Sequence, residues 1–164
     1  CRSLACTRTI FMISGAMSEI MKMVLVHAND RQQFGKSIGK FQAIQQQISV
    51  LAECVQAATI AAEMTCQSGP DAENALAIAA GKSRVSELAL QVNSIAHAVH
   101  GAMGITEEFH LHYLTRRLNE WRLDFGSEGY WQERLGEAYL NSSSDGILDF
   151  LIQSIDPRER LSHG

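Results

Sequence analysis

The chain has 164 residues, 46% of them hydrophobic, and a formal net charge of −4. That length and apolar content suit one compact domain with a substantial core. Lys and Arg are dispersed apart from the pair Arg116-Arg117, so the basic stripe of a nucleic-acid binder is missing. No uninterrupted apolar run reaches the ~18 residues expected of a bilayer span, and no secretory leader pattern stands at the start, so no membrane partner is expected. The first residue is Cys rather than Met, and a piece of a longer protein is therefore expected. Cysteines at 1, 6, 54 and 66 form no CxxC pair; Cys54 and Cys66 fall within helical pattern and are expected to be reduced and buried.

Taken in chain order, apolar residues recur at steps of three and four. The first series is Ile10, Ile13, Met17, Ile20 and Val24. The second is Phe41, Ile44, Ile48, Leu51, Val55 and Ala58, and the third is Val85, Leu88, Val92, Ile95 and Val99. Each places a stripe on one side of a long helix, the second running from about residue 40 to 67, and no strand alternation competes. Ser68-Gly69-Pro70-Asp71 supplies a stop and an N-cap between the second and third helices. The third ends at His100-Gly101. A fourth opens at Thr106 and carries Leu111, Leu114, Leu118 and Trp121; a fifth, capped by Ser127, carries Trp131, Leu135 and Tyr139. A short helix over residues 144–155 precedes a polar tail, 156–164. The predicted fold is an all-α, up-down bundle over residues 1–155, with four long helices and shorter C-terminal ones.

Three irregular breaks, near residues 31–39, 100–106 and 124–128, exceed what a bundle needs. The first holds Arg31-Gln32-Gln33-Phe34-Gly35, whose guanidinium suits bidentate capture of phosphate. The other two are glycine-centred and lead into helix N-termini, which favour anions.

In order, these breaks resemble the C-terminal helical domain of the acyl-CoA dehydrogenases. The resemblance rests on Arg31-x-x-Phe34-Gly35, then Phe41-Gln42, then His100-Gly101-Ala102-Met103-Gly104-Ile105-Thr106-Glu107-Glu108, and finally Gly126-Ser127, and covers roughly residues 10 to 142. It implies the last third of a flavoenzyme that holds FAD between subunits and removes hydrogens from Cα and Cβ of an acyl-CoA. It further implies a homotetramer built as a dimer of dimers, or a hetero-oligomer with a catalytically complete subunit. The implied location is the bacterial cytoplasm, or the mitochondrial matrix in a eukaryote. By the same resemblance Arg31 would reach the FAD pyrophosphate of a neighbouring subunit, with Gln33, Phe34 and Gln42 beside it. Gly101 and Ala102 would let backbone approach the cofactor. Ser127 would meet a phosphate and Gly126 would lie against the substrate. Ala102 stands where the family commonly has a second glycine, and Ala98 where it commonly has Gln.

The family's usual catalytic Glu falls at Phe125, which cannot accept a proton. Some members carry the base on the first helix of this domain, near Ala5 here, but no carboxylate lies between Cys1 and Ser18. The nearest acids are Asp124 and Glu128. Three alternatives stay open: a base from elsewhere, a catalytically complete partner subunit, or a relative that kept the bundle and lost dehydrogenation. A different class, a non-catalytic helical assembly domain, explains the stripes without chemistry.

Other polar residues read as structural. His97 and His100 share a helical face at a spacing that can bind zinc, but no third ligand stands nearby, so a hydrogen-bonded helix-end pair is expected and no metal. Lys82, Arg84 and Glu87 fall off the apolar stripe and are expected on a solvated face or a subunit contact. Arg116 and Arg117 can pair with Glu120.

Overall fold

A computed structural model describes residues 2–67, 75–101, 110–144 and 146–155, the side chains of 2, 3 and 153–155 excepted. The order is α1 (Arg2–Asp30), β1 (Gln32–Gln33), β2 (Lys36–Ser37), a 3-10 turn (Ile38–Lys40), α2 (Gln42–Gln67), α3 (Ala75–His100), α4 (Leu111–Leu123), α5 (Glu128–Leu140) and α6 (Ile147–Ile155). The expected second and third breaks survive as the ends of α3 and α4. The start expected for the fourth helix at Thr106, the cap at Asp71 and the polar tail lie outside the described residues, and α4 is seen over 13 residues.

The helices alternate in direction. Ile10 of α1 lies near Gly81 of α3 and His27 near His100, so α1 and α3 run parallel. Thr65 at the end of α2 meets Gly81 near the start of α3, which makes α2 antiparallel to both. Asn93 reaches Thr115 and Asn119 while Lys82 reaches Arg122, so α4 descends along α3. The α1 stripe is wholly inside: Ile10, Ile13, Met17, Ile20 and Val24 are all fully buried. Leu51, Ala58, Val85, Val92, Leu111 and Leu118 complete the same core.

The all-α expectation holds, with one short two-stranded hairpin among the described residues where the chain reverses over the seven residues between α1 and the 3-10 turn. One expectation about the cysteines needs correction. Cys66 is exposed on the last turn of α2, whereas Cys54 is buried. By mean hydropathy and length, Leu4–Asp30 (1.5) and Gln42–Gln67 (1.2) would both qualify as bilayer spans, since Glu19, Lys22, Glu53 and Glu63 interrupt the runs without lowering the averages enough. Their apolar sides serve the core instead.

The close approach of α1, α2 and α3 at Gly81 has a visible cause. A Cβ on Gly81 would run into Thr65 Oγ1 and stand 3.5 Å from Ile10 Cδ1. The missing side chain is what lets α1, α2 and α3 converge there. Gly81→Ala is expected to lower stability by about 1–3 kcal/mol in urea unfolding, the usual cost of overpacking, and Thr65→Ala in the same chain should recover part of it.

Candidate functional site

The first and second breaks meet. After α1 the hairpin turns on Phe34 (φ 51°) and Gly35 (φ 76°), with Gln33 opposite Lys36. Two successive positive φ angles make a type I′ turn, the geometry that matches strand twist. Glycine takes it freely, while phenylalanine gives up about 1–2 kcal/mol of backbone energy. Yet the Phe34 ring is 93% exposed, touching Phe41 edge-on at 6.3 Å. A strained and uncovered aromatic ring at a loop tip marks a contact surface.

A cleft of about 540 Å³ lies beside it. Arg31, Gln33, Phe34 and Phe41 line one side, Ala98, His100 and Gly101 the other. The Arg31 backbone is fixed, its N–H donating to His27 O at 2.9 Å and its carbonyl accepting from Ile38 N at 2.8 Å. The side chain is exposed and makes no ion pair among the described residues. Gly101 has φ 61°, and a Cβ built there meets no atom of the described residues within 4 Å, so its backbone lines the cleft without a side chain. A guanidinium on a fixed backbone, an amide, an exposed ring and open backbone suit an extended anionic ligand. Ala98 leaves a methyl group on the wall. Gln42 begins α2 and is exposed beside the cleft without lining it. Ala102 lies outside the described residues.

One residue the sequence reading passed over joins the two breaks. The buried rings of His27 and His100 stack with centroids 4.3 Å apart and planes 23° from parallel. His100 Nδ1 bonds to Ala96 O at 2.9 Å, while His97 turns instead to Thr115 Oγ1 at 3.1 Å. The expected His97–His100 pair therefore serves two different neighbours. Burial holds His27 below the ordinary imidazole pKa, helped by His100 and Arg31 and opposed by Asp30. Burial also depresses His100, opposed by its bond to Ala96 O and helped by His97.

The third break lies elsewhere. It is tied to Lys82, 18 positions before His100 on α3, or about 27 Å along the helix axis. Asp124 is an exposed C-cap of α4, and Phe125 (φ 62°) is again left-handed and 41% exposed. Gly126 has φ 116°, and a Cβ there would stand 2.6 Å from Tyr130 Cδ1 and 3.1 Å from Trp131 Nε1. Backbone and packing both demand glycine. Ser127 caps α5, its Oγ accepting from Tyr130 N at 3.5 Å. Glu128 is occupied by Arg122, Oε1 to Nη1 at 3.6 Å, with both side chains largely buried. That ion pair disfavours Glu128 as a base poised for substrate. Gly126 and Ser127 therefore do not share the Arg31 cleft.

Lys82 overturns its expected solvated place. It is completely buried, donating to Ser86 Oγ (3.0 Å), Trp121 O (3.1 Å) and Arg122 O (2.8 Å). It falls off the apolar stripe but faces α4, whose last carbonyls lack helical partners; two of them accept from the ammonium, and the Ser86 hydroxyl of α3 takes its third hydrogen bond. Burial lowers its pKa to about 8, with Arg122 acting in the same sense and Cys6, Asp124 and Glu128 opposing. Arg84 and Glu87 behave as expected, paired at 2.9 Å on the solvated side, and Arg116 and Arg117 both reach Glu120. Among the described residues no cluster of three metal-ligating side chains occurs.

Comparison with known proteins identifies the fold's lineage. The profile of the family described as acyl-CoA dehydrogenase, C-terminal domain, matches residues 3–139, and the chain belongs to that family. Over 94 residues it is 29% identical to the 3-sulfinopropanoyl-CoA desulfinase of Paraburkholderia xenovorans (strain LB400), a match covering 57% of this chain and 24% of the relative. The solved structure of glutaryl-CoA dehydrogenase from Mycobacterium smegmatis superposes with a TM-score of 0.78 at 23% identity, over 89% of this chain and 38% of that one. PigA with FAD and proline superposes at 0.76 and 24% identity, over 84% and 36%. The chain thus spans about a quarter to two fifths of these proteins' lengths, and at such identity the structures establish the fold.

The stacked histidines generate a pH prediction. Both folded-state pKa values lie below the unfolded 6.5, so the unfolded chain takes up protons first as pH falls. The stability due to the neutral stack is complete above about pH 6.5 and is lost as pH drops through the lowered values. Melting temperature should fall on acidification below that point, and His27→Phe should flatten the fall; an unchanged slope would mean that His27 does not drive it.

Proposed function

We propose that this chain is the C-terminal, FAD-contacting and assembly domain of a flavoprotein acting on acyl-CoA thioesters. The observation that carries the reading is Arg31, its backbone bonded at both ends and its side chain at the rim of a cleft that Gln33, Phe34 and Gly101 share, with no ion pair among the described residues. Family membership supports the coenzyme A class of substrate, and two relatives carry CoA thioesters in their names. When bound, flavin supplies the hydride acceptor for dehydrogenation. The chain's own part is to hold the diphosphate with Arg31, to offer polar contact through Gln33, and to cover the group with the Phe34 ring.

Two ends of α3 face two different tasks in this reading. The cleft at its C-terminal end grips a cofactor presented by a neighbouring subunit. The turn tied to its N-terminal half faces the substrate of the chain's own site, with Phe125 where the family's base projects. A shallow groove between α2 and α3, lined by Gln46, Gln47, Val50, Gln91 and Ile95, supports association of copies there. Gln47 Oε1 is buried with no hydrogen-bond partner among the described residues.

Phe125 favours a second reading, in which this subunit does not abstract the α-proton from this turn. Either a complete partner subunit provides the base, or the reaction is not a dehydrogenation. The desulfinase relative is named for cleavage at sulfur, which supports the latter branch.

In the complete flavoprotein, Arg31→Ala should weaken FAD retention at least about tenfold, the effect of losing a charge-assisted contact to phosphate. Flavin absorbance after gel filtration reads this, and unchanged retention would remove the basis of the assignment. Anaerobic acyl-CoA should bleach the flavin of this subunit alone slowly or not at all, and faster in Phe125→Glu. Full-rate bleaching in the unaltered protein would locate the base outside the turn.

A further inference from the structure

The turn between α4 and α5 is held in a conformation its sequence does not favour. Phe125 sits at φ 62°, where a side chain costs about 1–2 kcal/mol, and its ring remains 41% exposed, so packing alone does not compensate. Such backbone persists where its surroundings over-determine it. On the C-terminal side the restraint is the Ser127 cap and the Arg122–Glu128 ion pair across the turn. On the N-terminal side, Gly126 N donates to Leu123 O at 3.2 Å and Asp124 N to Glu120 O at 3.2 Å, both anchored to the last turn of α4. That last turn is fixed from below by a buried ammonium.

We propose that Lys82 is the positioning residue of the 124–127 turn: by binding the carbonyls of Trp121 and Arg122 it sets where α4 stops and so holds Phe125 in its left-handed backbone. The geometry is complete. Three donors meet three acceptors within 3.1 Å, and none is spent on a carboxylate. Removing a buried ammonium while its acceptors stay in place is costly, because each acceptor is left without a partner. Here removal would orphan two carbonyls in the segment that leads straight into the turn. Lys82 contacts no reacting atom; it acts through α4. The inference deepens the reading of this turn as the substrate-facing segment and rests on that reading only for its consequence in catalysis.

Limited chymotrypsin digestion of the whole chain tests it without any substrate. Phe11 of α1 has the same 41% exposure as Phe125 and serves as the internal reference for global opening. In Lys82→Met, cleavage after Phe125 should rise at least about tenfold relative to cleavage after Phe11, since proteolysis follows the open population and a charge-assisted bond is lost. Arg84→Ala, two positions along α3 and solvated, should leave that ratio unchanged. If Lys82→Met does not fold, Ser86→Ala removes one of the three acceptors without added bulk and should raise the same ratio by roughly threefold. A ratio unmoved in the folded variant makes Lys82 a general stabiliser and overturns the proposal. Loss of FAD retention on changing Arg31 is a separate result, so the failure of either idea is recognisable by itself.

Discussion

Helix α3 packs against each of the other five helices described, and the rest of the molecule follows from what that demands of its sequence. A helix covered on nearly every side cannot be large on every side. Ala77, Ala79, Gly81, Ser83, Ser86, Ala89 and Ala96 keep it thin, and the bulky Val85, Leu88, Val92 and Val99 are confined to the sector facing α1 and α2. At Gly81 the neighbours stand so close that a methyl group would run into Thr65. The α4 side is different in kind. There Lys82, Ser86 and Asn93 are buried and His97 partly so, each bonded to a carbonyl, amide or hydroxyl of α4 or of α3 itself. Burying such groups is tolerable because their hydrogen bonds are made, and it specifies register in a way that an apolar seam does not.

Rigidity of this axis is what separates the two candidate regions. The hairpin and Gly101 meet at one end of α3 through the His27–His100 stack. The left-handed Phe125 turn is fixed about 27 Å away through Lys82. The two regions share one more property. Each presents a phenylalanine at positive φ with an exposed ring, a combination that folding by itself gives no reason to keep.

Much of this was visible in the residues. The α1 stripe, five positions at steps of three and four, lies entirely inside, and α2 begins at Gln42, two residues past the expected start, and ends at Gln67 as expected. Periodicity reports burial on one face faithfully when a helix has one buried face. It misled at Lys82, because α3 has more than one, and a cation satisfied by helix-end carbonyls leaves no hydrophobic trace. The hairpin was missed since two-residue strands have no alternation to detect, although Phe34-Gly35 does place glycine where a type I′ turn wants it. The convergence of Arg31 with Gly101 could be anticipated from the family resemblance alone; nothing in the spacing places them together. His27 was passed over because a lone histidine near a helix end reads as surface.

The separation has a consequence for position 125, where the family resemblance leads one to expect a carboxylate. Substitutions more than about 7–10 Å apart that share no partner act nearly independently. Replacing a carboxylate by Phe at position 125 therefore leaves the Arg31 cleft, its hairpin and the histidine stack energetically untouched. The turn itself also tolerates the change: its backbone is set by Lys82 from one side and by Ser127 and Arg122–Glu128 from the other, not by the side chain at 125. A member of this family can thus change the chemistry offered at the turn while keeping the proposed cofactor grip. Conversely, loss of the grip would not need any change near Phe125. The architecture makes the proposed binding and proton transfer separable, and this chain, with the Arg31 cleft at one end of α3 and a phenyl ring at 125 near the other, has the form that such a separation permits.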